Sequence, residues 1–277
     1  MAPPMTPATF LSALKVEGVT VVEVGSWRTH NRNSKGAWGP VNGVMIHHTV
    51  TSGSARTVEI CRSGYSGLPG PLCHGVITKD GRVHLVGYGR ANHAGAGDGD
   101  VLAAVIAEKK LPAANEANTD GNARFYGFEC ENLGDGKDPW TPAQLDAIER
   151  VSAAICRVHG WDAASVIGHL EWQPGKVDPR GFTMAAMRDR IERRLTALPG
   201  KTPTPSPEKG LDVTDEQLFK AVWKRDAIPA PTTASTYKTN PTWKAESYFP
   251  HLAEQLSRLT DKVDALTKAV AELKKGA

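Results

Sequence analysis

Two adjacent histidines, His47 and His48, stand inside the short apolar run VMIHHTV at residues 44–50. Neighbouring side chains of a strand point to opposite faces, so one imidazole faces a core or cleft and the other faces away. A second stretch, GHLEWQPGKVDP at residues 168–179, places Asp178 nine positions after His169. Pro174, Gly175 and Pro179 shape the intervening loop, which can fold a carboxylate back beside an imidazole. Two imidazoles and one carboxylate, with water in the fourth position, make up a catalytic zinc site, whereas structural sites close all four positions with protein ligands. His47, His169 and Asp178 fit this inventory. The stretch GLPGPLCHG at residues 67–75 mimics the glycine spacing of a phosphate loop, but it lacks the lysine-threonine sequel and a following helix, which excludes that reading.

The elements that must position these residues are legible around them. GVMIHHTV reads as a strand, as does VTVVEVG at residues 19–25, which follows a short helix over 7–16 with Thr6 as N-cap and Pro7 at its first position. CHGVITKDGRVHLVG alternates around Lys79-Asp80-Gly81, a β-hairpin signal, because a glycine there accepts positive φ. RFYGFECEN is a further strand. From Thr141 the pattern becomes helical: Thr141 caps, Pro142 takes the first position and Gln144 completes a capping box. Leu145, Ile148, Val151, Ile155 and Val158 then recur at helical spacing up to Gly160. FTMAAMRDRIERRLTAL, capped by Thr183, is the last helix of the domain. Strands followed by helices, with at least one hairpin, predict an α/β or α+β domain: a mixed β-sheet flanked by helices.

The 277 residues suit one main domain with an appendage. The expected division is 1–198 for the main domain, a Pro/Thr/Ser-rich linker at 199–210, a small irregular wall-binding or docking segment at 211–250, and a coiled-coil helix at 251–275. In that last segment Leu252, Leu256, Leu259, Val263, Leu266, Val270 and Leu273 alternate spacings of four and three. Leucine at every d position with mostly valine at a favours a parallel two-stranded coiled coil, hence a homodimer through 251–275. A net charge of +3, spread along the chain, argues against nucleic acid as a partner. No run approaches membrane-spanning length, so no membrane insertion is expected, and no basic-then-apolar leader opens the chain. The four cysteines Cys61, Cys73, Cys130 and Cys156 form no CxxC pair and are expected as reduced thiols, with a Cys61–Cys73 bridge left open.

Taken in order, VMIHHT, CHGVITKDGRVHLVGYGRANHAG, YGFECEN and GHLEWQPGKVDP resemble the zinc-dependent N-acetylmuramoyl-L-alanine amidases, the family of phage lysozyme-amidases, muropeptide amidases and peptidoglycan recognition proteins. The resemblance runs through residues 40–195. It implies one zinc ion at the floor of a groove and cleavage of the amide between the lactyl group of N-acetylmuramic acid and L-alanine of the stem peptide. It also selects between the paired histidines: His47 is implied as a zinc ligand with His169, and Asp178 matches the branch with an aspartate ligand. Lys176 matches the lysine that stabilises the oxyanion, and Glu129 matches the general base, with Glu131 as the alternative of equal strand parity. His93 and Asn92 match groove residues that contact the muramyl-peptide. Where phage and immune members carry a tyrosine, this chain has Cys73 before His74, which moves the base role to Glu129 and leaves Cys73 a packing role; His74 is expected to be structural. Bacterial peptidoglycan is the implied partner. The expected biology is that of an endolysin made in the host cytoplasm and reaching the wall through a holin-type lesion. The alternatives are a non-catalytic peptidoglycan-binding protein and a cytosolic muropeptide-recycling amidase.

Overall fold

The computed structural model describes residues 2–201, 228–235 and 238–273. The chain parts into two compact units at residues 206/207. In the first unit the described elements run α1 (Pro7–Val16), β1 (Val21–Glu23), β2 (Gly43–His48), α2 (Ser54–Ser63), β3 (Gly64–Tyr65), β4 (Leu68–Pro69), β5 (Gly75–Ile77), β6 (Val83–Leu85), β7 (Ala96–Gly97), α3 (Gly99–Ile106), β8 (Thr119–Asp120), β9 (Phe125–Cys130), α4 (Pro142–His159), β10 (Val166–Gly168), α5 (His169–Trp172) and α6 (Met184–Thr196).

The caps read from the sequence are in place. Thr6, Thr141 and Thr183 each accept a backbone N–H of the helix they open, Thr141 and Gln144 form the reciprocal capping box, and Gly160 closes α4 in the left-handed conformation.

Six strands form one mixed sheet in the order β1-β6-β5-β9-β2-β10. β5 and β6 are the antiparallel hairpin, turning at Gly81 with φ +79°, and every other neighbouring pair is parallel. Alternation along the strands divides the side chains between two layers. Val44, Ile46, Tyr126, Phe128 and Val166 point into the larger core, which also takes in Phe10 and Leu14 of α1, Ile148, Val151 and Ile155 of α4, and Ile191 of α6. Met45, Phe125 and Ile167 point the other way, against Val101 and Val105 of α3 and Trp172 of α5. Under α2 a third cluster joins Val58 and Cys61 to Cys73, Val76 and Val86. All four cysteines are free and buried, so no Cys61–Cys73 bridge is present.

In the second unit β11 (Ile228–Pro229) pairs antiparallel with β12 (Thr242–Trp243), and the helix α7 (Ala245–Leu273) follows. The helix begins six residues before the expected 251 and takes Pro250 into an early turn. The expected linker lies, from residue 202 on, outside the described residues, as do 211–227 of the irregular segment. Leu252, Leu256, Leu259, Val263 and Leu266 are all exposed along one stripe of α7. Among the described residues no helix is long and apolar enough to cross a membrane.

Candidate metal centre and catalytic cleft

β2 and β9 are in parallel register, with His47 beside Glu129 and His48 beside Cys130. His47 shares its parity with Met45, and Glu129 with Phe125, so both lie on the α2/α3/α5 side of the sheet near the carboxyl ends of their strands. Ligands bind beyond such ends in open α/β sheets, because the loops that follow them can close around a site. His48 falls on the opposite parity. Its ring lies against Gly134, where a β-carbon would sit 2.3 Å from Nε2, and its Nδ1 accepts the Arg180 N–H at 3.2 Å. One histidine of the pair thus enters the cleft floor, and the other clamps the loop after Asp178 to the loop after β9.

β10 pairs with β2 on its other side and ends at Gly168; α5 starts at once with His169. Glu171 folds back to accept the Gly168 N–H at 3.0 Å, and Arg188 of α6 grips the same carboxylate with two bonds of 2.8 Å. The Leu170 N–H donates to the Asp178 carbonyl at 2.7 Å, which closes the 169–178 loop. Three donor atoms converge as a result. His47 Nδ1 lies 3.0 Å from His169 Nδ1, and Asp178 Oδ2 is 3.1 Å from each. A tetrahedral zinc with ligand bonds of about 2.0–2.1 Å holds its ligand atoms about 3.3 Å apart, so this triangle suits such an ion with little adjustment. Among the described residues, the only other set of three groups close enough to hold a metal, Asp98, Asp100 and Glu116, includes Asp98 as the N-cap of α3.

The electrostatics agree with the geometry. Burial pushes His47 down to about 4, so its ring is neutral and offers a lone pair at physiological pH. Burial alone would raise the Asp178 carboxyl, but hydrogen bonds to His169 and His47 outweigh it and hold the group well below its ordinary range. Glu129 stands apart from these contacts. Its Oε2 is buried without a hydrogen-bond partner, and burial, aided by the charge of Asp178 and opposed by Lys176, pushes its carboxyl up to about 8. The Lys176 side chain is exposed at the cleft rim.

The cleft encloses about 440 Å³ and is lined by all seven expected site residues: His47, Asn92, His93, Glu129, His169, Lys176 and Asp178. Their settings differ. Asn92 is half-buried, and its side-chain amide is 3.5 Å from the Pro69 carbonyl. His93, expected to contact substrate, is 8% exposed and its ring faces His47 rather than open solvent. Glu131, the alternative base, lies beyond the end of β9 and accepts from Gly53 N, Ser54 Oγ and Lys79 N at 2.8, 2.6 and 3.2 Å. It caps α2, whose own N-cap residue Gly53 has no side chain to do so. Cys73 is fully buried, and burial pushes its thiol well up, which disfavours the thiolate a metal needs. His74 is structural: Nδ1 accepts the Gly127 N–H at 2.9 Å and Nε2 donates to the Gly89 carbonyl at 2.8 Å.

The profile of the N-acetylmuramoyl-L-alanine amidase family matches residues 37–181, more than half of the chain. The chain belongs to that family. The match spans β2 through the Asp178 loop and so contains every residue of the cleft named above. Solved structures to which the chain is similar include the endolysin N-acetylmuramoyl-L-alanine amidase LysCS from Clostridium intestinale, at 18% identity and a TM-score of 0.40, covering 62% of this chain and 94% of its own. Another is the Staphylococcus aureus hydrolase AmiA in complex with its ligand, at 14% identity and a TM-score of 0.43, covering 74% of this chain and 98% of that one. No curated protein matches this amidase in sequence. Its enzyme class, an N-acetylmuramoyl-L-alanine amidase acting on peptidoglycan, follows from the family.

Proposed function

We propose that this amidase is a zinc-dependent hydrolase of endolysin type, which severs the bond between N-acetylmuramic acid and L-alanine and thereby lyses the bacterial wall. The observation that carries the reading is the convergence of His47 Nδ1, His169 Nδ1 and Asp178 Oδ2 at 3.0–3.1 Å, with Glu129 Oε2 buried and without a partner on the same face of the sheet. His47, His169 and Asp178 would hold the ion. Bound there, zinc supplies a Lewis acid for the amide carbonyl and lowers the pKa of a water molecule.

The remaining roles belong to the chain. Glu129 takes the proton of the attacking water as oxygen adds to the lactyl carbonyl carbon, then returns it to the alanine nitrogen as the C–N bond breaks, leaving a lactyl carboxylate and a free amine. A carboxyl whose environment sets its affinity for protons near neutrality is suited to both halves of that exchange. To Lys176, at the cleft rim, this reading gives stabilisation of the oxyanion of the tetrahedral intermediate, the stage at which preorganised charge contributes most. Placement of the amidase unit ahead of a proline-rich stretch and a heptad helix supports a lytic enzyme that acts at the wall after passing a membrane lesion, as a dimer through α7.

The test is mass spectrometry of purified peptidoglycan digested with the metal-loaded protein, and again after chelation. Stem peptides beginning at L-alanine, lost on chelation and restored by zinc, are expected. Intact glycan-peptide that the protein nevertheless binds would instead establish a recognition groove and remove the roles given to Glu129 and Lys176.

A further inference from the structure

His93 is held from every side by groups that have no need of substrate. Its backbone N–H and those of Ala94 and Gly95 all donate to one atom, Asn122 Oδ1, at 2.9, 2.8 and 3.3 Å. Trp172 of α5 pins the same turn by donating from Nε1 to the Ala94 carbonyl at 3.1 Å. The ring lies over β9 at Gly127, where a β-carbon would come within 2.4 Å of His93 Nδ1. Only a residue without a side chain admits the imidazole there.

Hydrogen bonding then fixes the orientation of each nitrogen. The Phe125 carbonyl, 3.3 Å from His93 Nε2, can only accept, so Nε2 carries the proton and Nδ1 the lone pair. His93 Nδ1 lies 3.1 Å from His47 Nε2, which must therefore be the donor. With its proton on Nε2, His47 presents the lone pair of Nδ1 to His169 and Asp178. The partner of a metal-binding imidazole's second nitrogen sets both its tautomer and its ring angle.

We infer that His93 is a positioning residue: with Gly127 making room for its ring, it relays the Phe125 carbonyl to His47 and locks His47 as an Nδ1 metal ligand. This inference rests on the metal reading given above and adds to it a residue that acts on the ion through His47. By contrast, His169 Nε2 is buried and has no hydrogen-bond partner, so the relay serves one of the two imidazoles.

The test compares full-length wild type, His93→Leu, His93→Gln and Gly127→Ala. Zinc affinity is read by competition with a chromophoric chelator, and the His47 tautomer by 15N NMR of the metal-free protein. His93→Leu and Gly127→Ala are expected to weaken zinc binding roughly 10- to 100-fold, the usual cost of losing a ligand's outer partner. His93→Gln, whose amide oxygen can accept from His47 Nε2, is expected to recover most of that loss. Wild-type affinity in folded His93→Leu overturns the inference. So does a glutamine variant as weak as the leucine one, which would reduce His93 to packing. If His93→Leu does not fold, wild-type affinity in Gly127→Ala overturns it instead. Should wild type itself take up no zinc, the metal reading falls, and the NMR decides the relay alone: it stands if His47 is protonated on Nε2 in wild type and loses that preference in the variants, and fails otherwise.

Discussion

Replacing Glu131 by alanine should damage the fold and spare the chemistry, whereas Glu129→Gln should do the reverse. Glu131 is 3% exposed and accepts three hydrogen bonds, from Gly53 N, Ser54 Oγ and Lys79 N. A hydrogen bond to a charged group contributes about 1.5–3 kcal/mol, and each buried donor left unmatched costs about 1–3 kcal/mol. Gly53 is exposed and Ser54 partly so, and water will serve those two donors after truncation, which puts the expected loss in Glu131→Ala at about 3–5 kcal/mol. About 0.3–1 kcal/mol of that is the loss of a negative charge at the start of α2. Against a total stability of about 5–15 kcal/mol this is a large fraction. Urea unfolding followed by circular dichroism reads the loss, and hydrogen exchange should find the Gly53 and Lys79 amides deprotected. In the fraction that remains folded, kcat should stay within about threefold of wild type, while Glu129→Gln, stable and still able to bind metal, should lose about 10²- to 10⁴-fold. A Glu131→Ala protein of unchanged stability, or one stable but inactive, would refute the division of labour between the two carboxylates.

Two further outcomes follow from groups away from the reacting centre. Burial pushes His74 down to about 4, with its bonds to Gly89 and Gly127 opposing, whereas in the unfolded chain it titrates near 6.5. The unfolded state therefore binds the proton first: this contribution to stability is complete above about pH 6.5 and lost as pH falls towards 4, about 3 kcal/mol in all. NMR should find the His74 ring neutral down to about pH 4, and a midpoint near 6.5 would contradict the placement. Sedimentation equilibrium should give a dimer for the full chain and a monomer for Leu259→Asp, since that leucine is 57% exposed at the middle of the α7 stripe; a monomeric wild type at tens of micromolar would leave the stripe without the partner assigned to it.

What the sequence made legible was local. The Thr141-Pro142-Gln144 start of α4, the Gly81 hairpin and the first turn of α1 are written in neighbouring residues whose side chains bond within one turn, so reading them needed no tertiary knowledge. The trio of His47, His169 and Asp178, whose donor atoms the fold brings together, could be singled out because few chemistries use two histidines and an aspartate in that setting. Strand parity separated His47 from His48 once a face was chosen, but parity could not distinguish Glu129 from Glu131. That needed the end of β9 at Cys130 and the uncapped start of α2, both set by long-range packing. The depth of His93 was hidden for the same reason: the bare Gly127 that admits its ring belongs to β9, far along the chain from the turn that carries His93, and only the folded sheet sets one against the other. The parallel pairing of β1 with β6 and the ribbon of β3 and β4 left no periodic signal, since each strand is only two or three residues long.

The Leu170–Asp178 backbone bond bears on how this enzyme would meet the proposed ion. Two of the three donors sit at the ends of one loop, and in a flexible chain joining those ends would consume part of the binding free energy as lost conformational entropy. Here the loop is already closed by a main-chain contact, and β2 holds the third donor against it. On the metal reading proposed above, uptake of the ion is expected to need little reorganisation, and chelation to remove the reactivity while the scaffold stands. Such a centre would differ from small zinc modules in which the ion is itself the main folding force.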